Sequence, residues 1–195
     1  FKKLKDILNE RLVGEIKSIS CTFTLPDLEK PGYRYNSELG GSAFLDVGSY
    51  TLSVILNLFP KSSIEIISAN IPSGDKNFVD LEGKALLKID KQINCYLTWA
   101  YNQSYKNEIV LKGDLGSIYT DKIFSKDSNY DPSIILSYPQ KKSKISVESA
   151  NHFSLMLESF SQAVRDKSKI NFQRESILKL FRLIDGIKNI SLTNK

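Results

Sequence analysis

The sequence predicts an α+β fold: one large, mainly antiparallel or mixed open sheet with helices on one face. Two observations carry that prediction. Segments with period-two alternation follow one another through the middle of the chain instead of alternating with helices. Segments with 3–4 spacing gather at the two ends and in one stretch between. The chain has 195 residues, 41% of them hydrophobic and 25% charged. That length and composition suit one domain with its own core.

The elements follow in order. "FKKLKDILNERL" carries apolar residues at Phe1, Leu4, Leu8 and Leu12, a helical stripe that Gly14 ends. "EIKSISCTFTL" (15–25) alternates Ile16, Ile19, Cys21 and Phe23 with polar residues and reads as a strand. Residues 26–41 are rich in Pro, Gly and Asn, as in a loop. From Ala43 to Phe59 the pattern is helical, against the β-branched Val47, Thr51, Val54 and Ile55, and Pro60 stops it.

In "VDLEGKALLKI" (79–89), Val79, Leu81, Ala85, Leu87 and Ile89 fall on one face at period two, opposite Asp80, Glu82, Lys84 and Lys88. "INCYLTWAYN" (93–102) and "NEIVLKG" (107–113) continue the sheet, and "KGDLGSIY" (112–119) reads as a hairpin. Strand 93–101 places Asn94, Tyr96, Thr98 and Ala100 on a face suited to solvent or to an oligomer contact, with Trp99 on the other. Phe153, Met156, Leu157, Phe160 and Val164 mark one closing helix, and Ile177, Leu180, Phe181, Ile184 and Ile187 a second.

Charge and rare residues narrow the function classes. The net charge is +5, but the lysines are scattered among acids. Only "QKKSK" (140–144) clusters, in an expected turn, so no stripe for nucleic acid is predicted. No membrane span is expected, nor a metal site, since two cysteines and one histidine are too few for structural zinc. Cys21 and Cys95 are expected as buried free thiols of a cytoplasmic protein.

The stretch with chemical content is "GGSAFLDVGSYT" (40–51), where Asp46 and Tyr50 stand four apart on one helix face. By spacing alone the pair fits a first-turn acid with a half-buried aromatic, or the working groups of a site. Gly40 and Gly41 permit close backbone approach, and Gly48 is expected to leave space beside the pair for a nicotinamide or substrate.

"GGSAFLDVGSY" resembles the G-G-x-x-x-x-D-x-G-x-[YH] motif of the glucose-fructose oxidoreductase, inositol dehydrogenase and rhizopine-catabolism family, Gfo/Idh/MocA. "FKKLKDILNERLVGEIKSIS", "EIVLKGDLGSIY", "NHFSLMLESFSQAV" and "ESILKLFRLIDGIKNIS" resemble, in the family's order, its entry helix and first strand, its hairpin and its closing helices. The resemblance implies a two-domain oxidoreductase whose N-terminal Rossmann domain binds NAD or NADP. Its dihydrodipicolinate reductase-like C-terminal domain binds substrate and makes homodimer or homotetramer contacts through the open sheet. Residues 1–195 correspond to the second domain alone, and the sequence holds no G-x-G-x-x-G after a strand.

The substrate implied is a sugar, nucleotide sugar or related polyol, because the tyrosine branch of the family spans glucose-fructose oxidoreductase-like, dihydrodiol dehydrogenase-like and nucleotide-sugar ketoreductase-like enzymes. Tyr50 is then the proton-transfer residue and Asp46 its companion, with Gly40 and Gly41 toward the cofactor. Arg34, Tyr35 and His152 are substrate-binding candidates. Arg34 also suits packing, and His152 a helix-capping or exposed place. Trp99 and Tyr101 suit sheet packing or stacking on a sugar. The family's catalytic lysine lies in an E-K-P motif that "LEKP" (28–31) matches only by chance of position, so its counterpart is expected upstream of Phe1. The alternative is a non-catalytic module of the same fold, kept for assembly or sugar binding.

Overall fold

The structure, a computed structural model, describes residues 1–28, 32–72 and 79–193. The Glu29-Lys30-Pro31 match falls outside the described residues. The order is α1 (Lys2–Asn9), β1 (Ile16–Thr24), two 3₁₀ turns (Gly32–Tyr35 and Ser37–Leu39), a π-helical turn (Phe44–Gly48) running into α2 (Ser49–Leu58), and β2 (Ile64–Asn70). Then come β3 (Glu82–Ile89), β4 (Ile93–Ala100), β5 (Lys106–Gly113), β6 (Ser117–Asp121), β7 (Ser133–Tyr138) and β8 (Lys141–Ser146). Helices α3 (His152–Arg165) and α4 (Lys167–Thr193) close the described chain.

The eight strands form one open sheet in the order β2-β3-β4-β1-β5-β6-β7-β8. Only β1 and β4 pair in parallel; every other pair is antiparallel, so the sheet is mixed, as the sequence predicts. A parallel pair needs a long crossover, and the segment holding α2 lies within that connection. The inward residues of the central strands include Ile19, Cys21, Leu87, Cys95, Leu97, Trp99, Ile109 and Leu111. They share a core with Leu4 and Ile7 of α1, Leu52 and Ile55 of α2, and Ile184 and Ile187 of α4.

Three elements depart from expectation. Helix α1 stops at Asn9, and Arg11 takes φ +52, so Leu4 and Ile7 are buried while Leu12 stays exposed. "QKKSK" lies mostly in edge strand β8 and only begins in the turn. Lysines on both faces of β8 remove the period-two signal and guard the free edge against another chain. The second closing helix is longer than its apolar stripe, because the residues flanking the stripe continue the helix to Lys167 and Thr193.

The helical run Ser37–Leu58 reaches the length and, at 1.3, the mean hydropathy of a membrane span, but 56% of it is buried inside the fold as a core segment. Cys21 and Cys95 are buried free thiols on the adjacent strands β1 and β4, two positions out of register. Burial pushes the Cys95 thiol up to about 12. On the uncovered face, pairing aligns Leu86, Tyr96, Ser20, Val110, Tyr119 and Ile135 in one row across six strands. Helix α3 packs on α4, and its Phe153, Leu157, Phe160 and Val164 are exposed.

Candidate active site

The site begins with a loop that closes on itself. Asn36 Oδ1 accepts from the backbone N–H groups of Glu38 (2.9 Å) and Leu39 (3.3 Å), and Gly40 ends that turn at φ +79, a conformation that favours glycine. At Gly41 a Cβ would lie 2.5 Å from the Arg34 carbonyl oxygen and 2.6 Å from that of Tyr33. Only a hydrogen fits, and the close approach fixes the backbone carrying Arg34. Gly41 is thus occupied by its own loop, whereas nothing lies within 4 Å of the Cβ position of Gly40.

Next the chain enters its core helix. Ser42 Oγ accepts from Leu45 N–H at 3.0 Å and Asp80 Oδ2 from Phe44 N–H at 2.7 Å, which satisfies donors that a helix start leaves open. Burial raises the Asp80 carboxyl above its ordinary value, opposed by its bonds to Ser42 and Phe44. The first turn, Phe44–Gly48, is π-helical, a rare wide turn common at functional sites. Its inner side rests on Trp99, whose ring stacks on Phe44 at 4.7 Å. A Cβ on Gly48 would lie 2.7 Å from Phe44 Cδ2 and 2.9 Å from Trp99 Cδ2. The space expected beside Gly48 for a cofactor or substrate is therefore filled by these two rings.

Asp46 is the centre of a closed polar knot. Its Oδ2 accepts from Arg34 Nε at 2.8 Å and from the Tyr101 hydroxyl at 2.7 Å. The Tyr101 ring packs against Tyr35 at 5.4 Å, and Tyr35 donates to Asn102 Oδ1 at 2.8 Å. Burial, then the bond to Asp46, pushes the Tyr101 phenol well above its usual range, so it remains a neutral donor. Trp99 and Tyr101 are both buried, which resolves their role toward packing and away from stacking on a sugar. Arg34 uses only Nε on Asp46 and lies with its guanidinium 4.9 Å from the Tyr33 ring centroid, so its η nitrogens have no hydrogen-bond partner among the described residues.

Tyr50 stands apart from that knot. It is 47% exposed, and its ring meets Phe23 edge-on at 5.6 Å and Phe124 at 6.2 Å. Its hydroxyl has no hydrogen-bond partner among the described residues, and none joins it to Asp46. Tyr50 lines a cavity of about 620 Å³ with Asn57 of α2, Lys122, Phe124 and Lys126 beyond β6, and His152 and Met156 of α3. Lys126 Nζ donates to the Ala150 carbonyl at 2.8 Å. Partial burial, then the charge of Lys126, holds the His152 imidazole below its ordinary value, so it is neutral at pH 7. The cap of α3 is Asn151, not His152: its Oδ1 accepts from Phe153 and Ser154 N–H.

The structure thus brings Arg34, Tyr35 and Asp46 together, and Tyr50 with His152 in a neighbouring cavity. Sequence reasoning missed Lys122, Phe124 and Lys126, which carry no motif, and Asp80, hidden in the polar face of an expected strand. It offered Tyr101 for sheet packing or for stacking on a sugar, and not as a partner of Asp46.

A family profile described as the GFO/IDH/MocA C-terminal domain matches residues 1–119. The chain is 25% identical to a dTDP-3,4-didehydro-2,6-dideoxy-alpha-D-glucose 3-reductase of Actinomadura kijaniata, over 96% of this chain and 56% of that protein. An enzyme of the same description from Streptomyces violaceoruber is 23% identical over 96% of this chain and 57% of its own. Among solved structures, the 3-ketoreductase KijD10 from Actinomadura kijaniata, in complex with NADP and TDP-benzene, superposes with a TM-score of 0.87 at 24% identity, covering 97% of this chain and 58% of KijD10. An aldose-aldose oxidoreductase from Caulobacter crescentus, complexed with glycerol, gives 0.78 at 16% identity, covering 98% of this chain and 58% of that one. The chain spans a little over half the length of the curated relatives it matches. With the profile covering most of the chain and the fold shared along nearly all of it, the chain belongs to the Gfo/Idh/MocA family.

Proposed function

We propose that this chain is the substrate-binding domain of an NAD(P)-dependent oxidoreductase that interconverts a keto group and a secondary alcohol on a nucleotide sugar. One observation carries the reading. Tyr50, at the motif's last position, presents a half-exposed phenol, without a hydrogen-bond partner among the described residues, at a cavity of about 620 Å³, within the size range of small-molecule sites. The named relatives act on a dTDP sugar, which supports the substrate class.

The residues here do not make a dinucleotide site by themselves. Gly48 is filled by Trp99 and Gly41 by its own loop, and of these motif glycines Gly40 alone leaves its backbone open to an approaching ring. A bound nicotinamide would supply or accept the hydride, and by the family resemblance a dinucleotide-binding domain preceding these residues would hold most of it. In the direction of reduction, the Tyr50 hydroxyl gives its proton to the carbonyl oxygen as that oxygen gains negative charge. In oxidation, the tyrosinate takes the proton back. The η nitrogens of Arg34, set by Asp46 and without a hydrogen-bond partner among the described residues, would hold substrate oxygens in a fixed orientation. Tyr50→Phe in the full-length protein tests the assignment. Turnover is expected to fall by about 10²–10⁴-fold with NADPH binding retained, and near-normal turnover would sink it.

The same domain carries a surface for assembly. The cross-strand row of Leu86, Tyr96, Val110, Tyr119 and Ile135 on the uncovered face supports self-association through the sheet, as the family resemblance implies. Tyr96→Glu is expected to shift the full-length protein from dimer to monomer in light scattering. An unchanged mass would argue against this face.

A further inference from the structure

The cavity beside Tyr50 contains more than the proton-transfer step requires. Lys122 and Lys126 both line it, and neither has a carboxylate partner within ion-pair distance among the described residues. Lys126 Nζ is held by the carbonyls of Ala150 at 2.8 Å and Asp127 at 3.3 Å. Lys122 Nζ lies 4.5 Å from the Tyr130 ring centroid, a contact that attracts the ammonium without neutralising it. The one acid in the lining, Asp121, is already engaged, because both its oxygens accept from the Tyr130 hydroxyl at 2.9 Å. Lys122 also sits at φ +47, a left-handed conformation that costs a lysine about 1 kcal/mol or more and is found where the surrounding structure fixes it. That turn carries the chain from the end of β6 along the cavity wall to Phe124 and Lys126.

Most of the rest of the lining is apolar, with Phe124, Ile134, Val147, Leu155 and Met156, beside the polar Ser53, Asn57, Thr120 and His152. Two ammonium groups against one carboxylate, at a cavity with a mostly apolar wall, leave a net positive lining that matches a ligand with a charged diphosphate and a flat ring. We propose that this cavity takes the nucleoside diphosphate part of a nucleotide sugar, the phosphates against Lys122 and Lys126 and the base against the apolar wall. The proposal rests on the oxidoreductase reading above, since the sugar attached to that diphosphate is what reaches Tyr50. Lysine binds phosphate as a point charge, so the contact tolerates small displacements of the ligand.

A dinucleotide cofactor also carries a diphosphate, and the test separates the two sources. Calorimetric titrations of the full-length protein use dTDP, thymidine and NADPH as probes. Lys126→Met is expected to weaken dTDP about tenfold or more and Lys122→Ala several-fold, with thymidine and NADPH unchanged. Wild-type affinity for dTDP should fall with added salt more steeply than that of either variant. Lys122 holds no backbone carbonyl, so its variant controls for the Ala150 contact that Lys126→Met also removes. Unchanged dTDP binding in both variants overturns the proposal, and so does a loss of NADPH affinity with dTDP retained. No dTDP binding by the wild type overturns it as well. The readout is binding, so each of these outcomes leaves the Tyr50 assignment to stand or fall on turnover alone.

Discussion

Asp46 and Tyr50, four residues apart on the core helix, belong to two polar groups that differ in how far their bonds are already made. On one side, Asp46 holds Arg34 and the buried Tyr101 within 2.8 Å, and Tyr35 and Asn102 extend that network. On the other, Lys122, Lys126 and His152 line the cavity, and neither lysine is within ion-pair distance of a carboxylate among the described residues. The first group has the features of a fixture. Its geometry is over-determined, so removing one member disturbs the others. The second has those of a receptor, because its charges gain most from an anionic ligand. On the reading proposed above, the first surface would fix the pose of the sugar and the second would admit the charged remainder of the substrate.

The contrast orders the expected effects. The loss of turnover in Tyr50→Phe is the largest, since that phenol is the proposed proton donor. Next comes Asp46→Ala. It leaves Arg34 without its anchor and Tyr101 with only the distant Ser42 carbonyl, at 3.4 Å. If the knot is a fixture, kcat should drop by about 10–100-fold through mispositioning, with dTDP affinity changed less than threefold. Steady-state kinetics beside calorimetry would decide. Equal losses in kcat and dTDP affinity would mean that the two sides act as one site.

The fixture and the receptor were not equally legible in the sequence. The helical stretch from Ala43 to Phe59 and the strands around Leu87, Leu97 and Ile109 follow from periodicity, and the structure has them within a few residues. Asp46 and Tyr50 could be placed on the core helix for the same reason. Their different surroundings could not be, because Asp46 meets Tyr101 across 55 positions of sequence and Tyr50 meets Phe124 through tertiary packing alone. The wide turn at Phe44–Gly48 exists to seat Trp99, and a residue 51 places beyond Gly48 sends no local signal. Lys122 and Lys126 look like any surface lysines until the left-handed turn at Lys122 aims the segment at the cavity. Strand β8 was hidden for the opposite reason: an edge built of lysines has no apolar period to read.

The smallest effect tests whether the fixture also contributes to stability. In the knot, Tyr101 donates to a carboxylate from a buried position, so Tyr101→Phe should cost about 1.5 kcal/mol at pH 7. That corresponds to roughly 3–6 °C in the melting temperature of a domain this size. The pH dependence carries the sign. Burial, then Asp46, raises the Tyr101 phenol above its ordinary value near 10. A group raised on folding gives stability that is whole below its unfolded value. That stability fades as the pH climbs beyond it, because the unfolded chain then releases a proton that the folded chain keeps. Phenylalanine has no such proton, so the gap between wild type and variant should narrow above pH 10 in urea unfolding. Tyr35, Tyr119, Tyr130 and the thiols of Cys21 and Cys95 are raised too, but they are present in both proteins and cancel in the difference. A gap that stays constant from pH 7 to pH 11 would mean that the Tyr101 hydroxyl is not held by Asp46, and that the knot is looser than its distances imply.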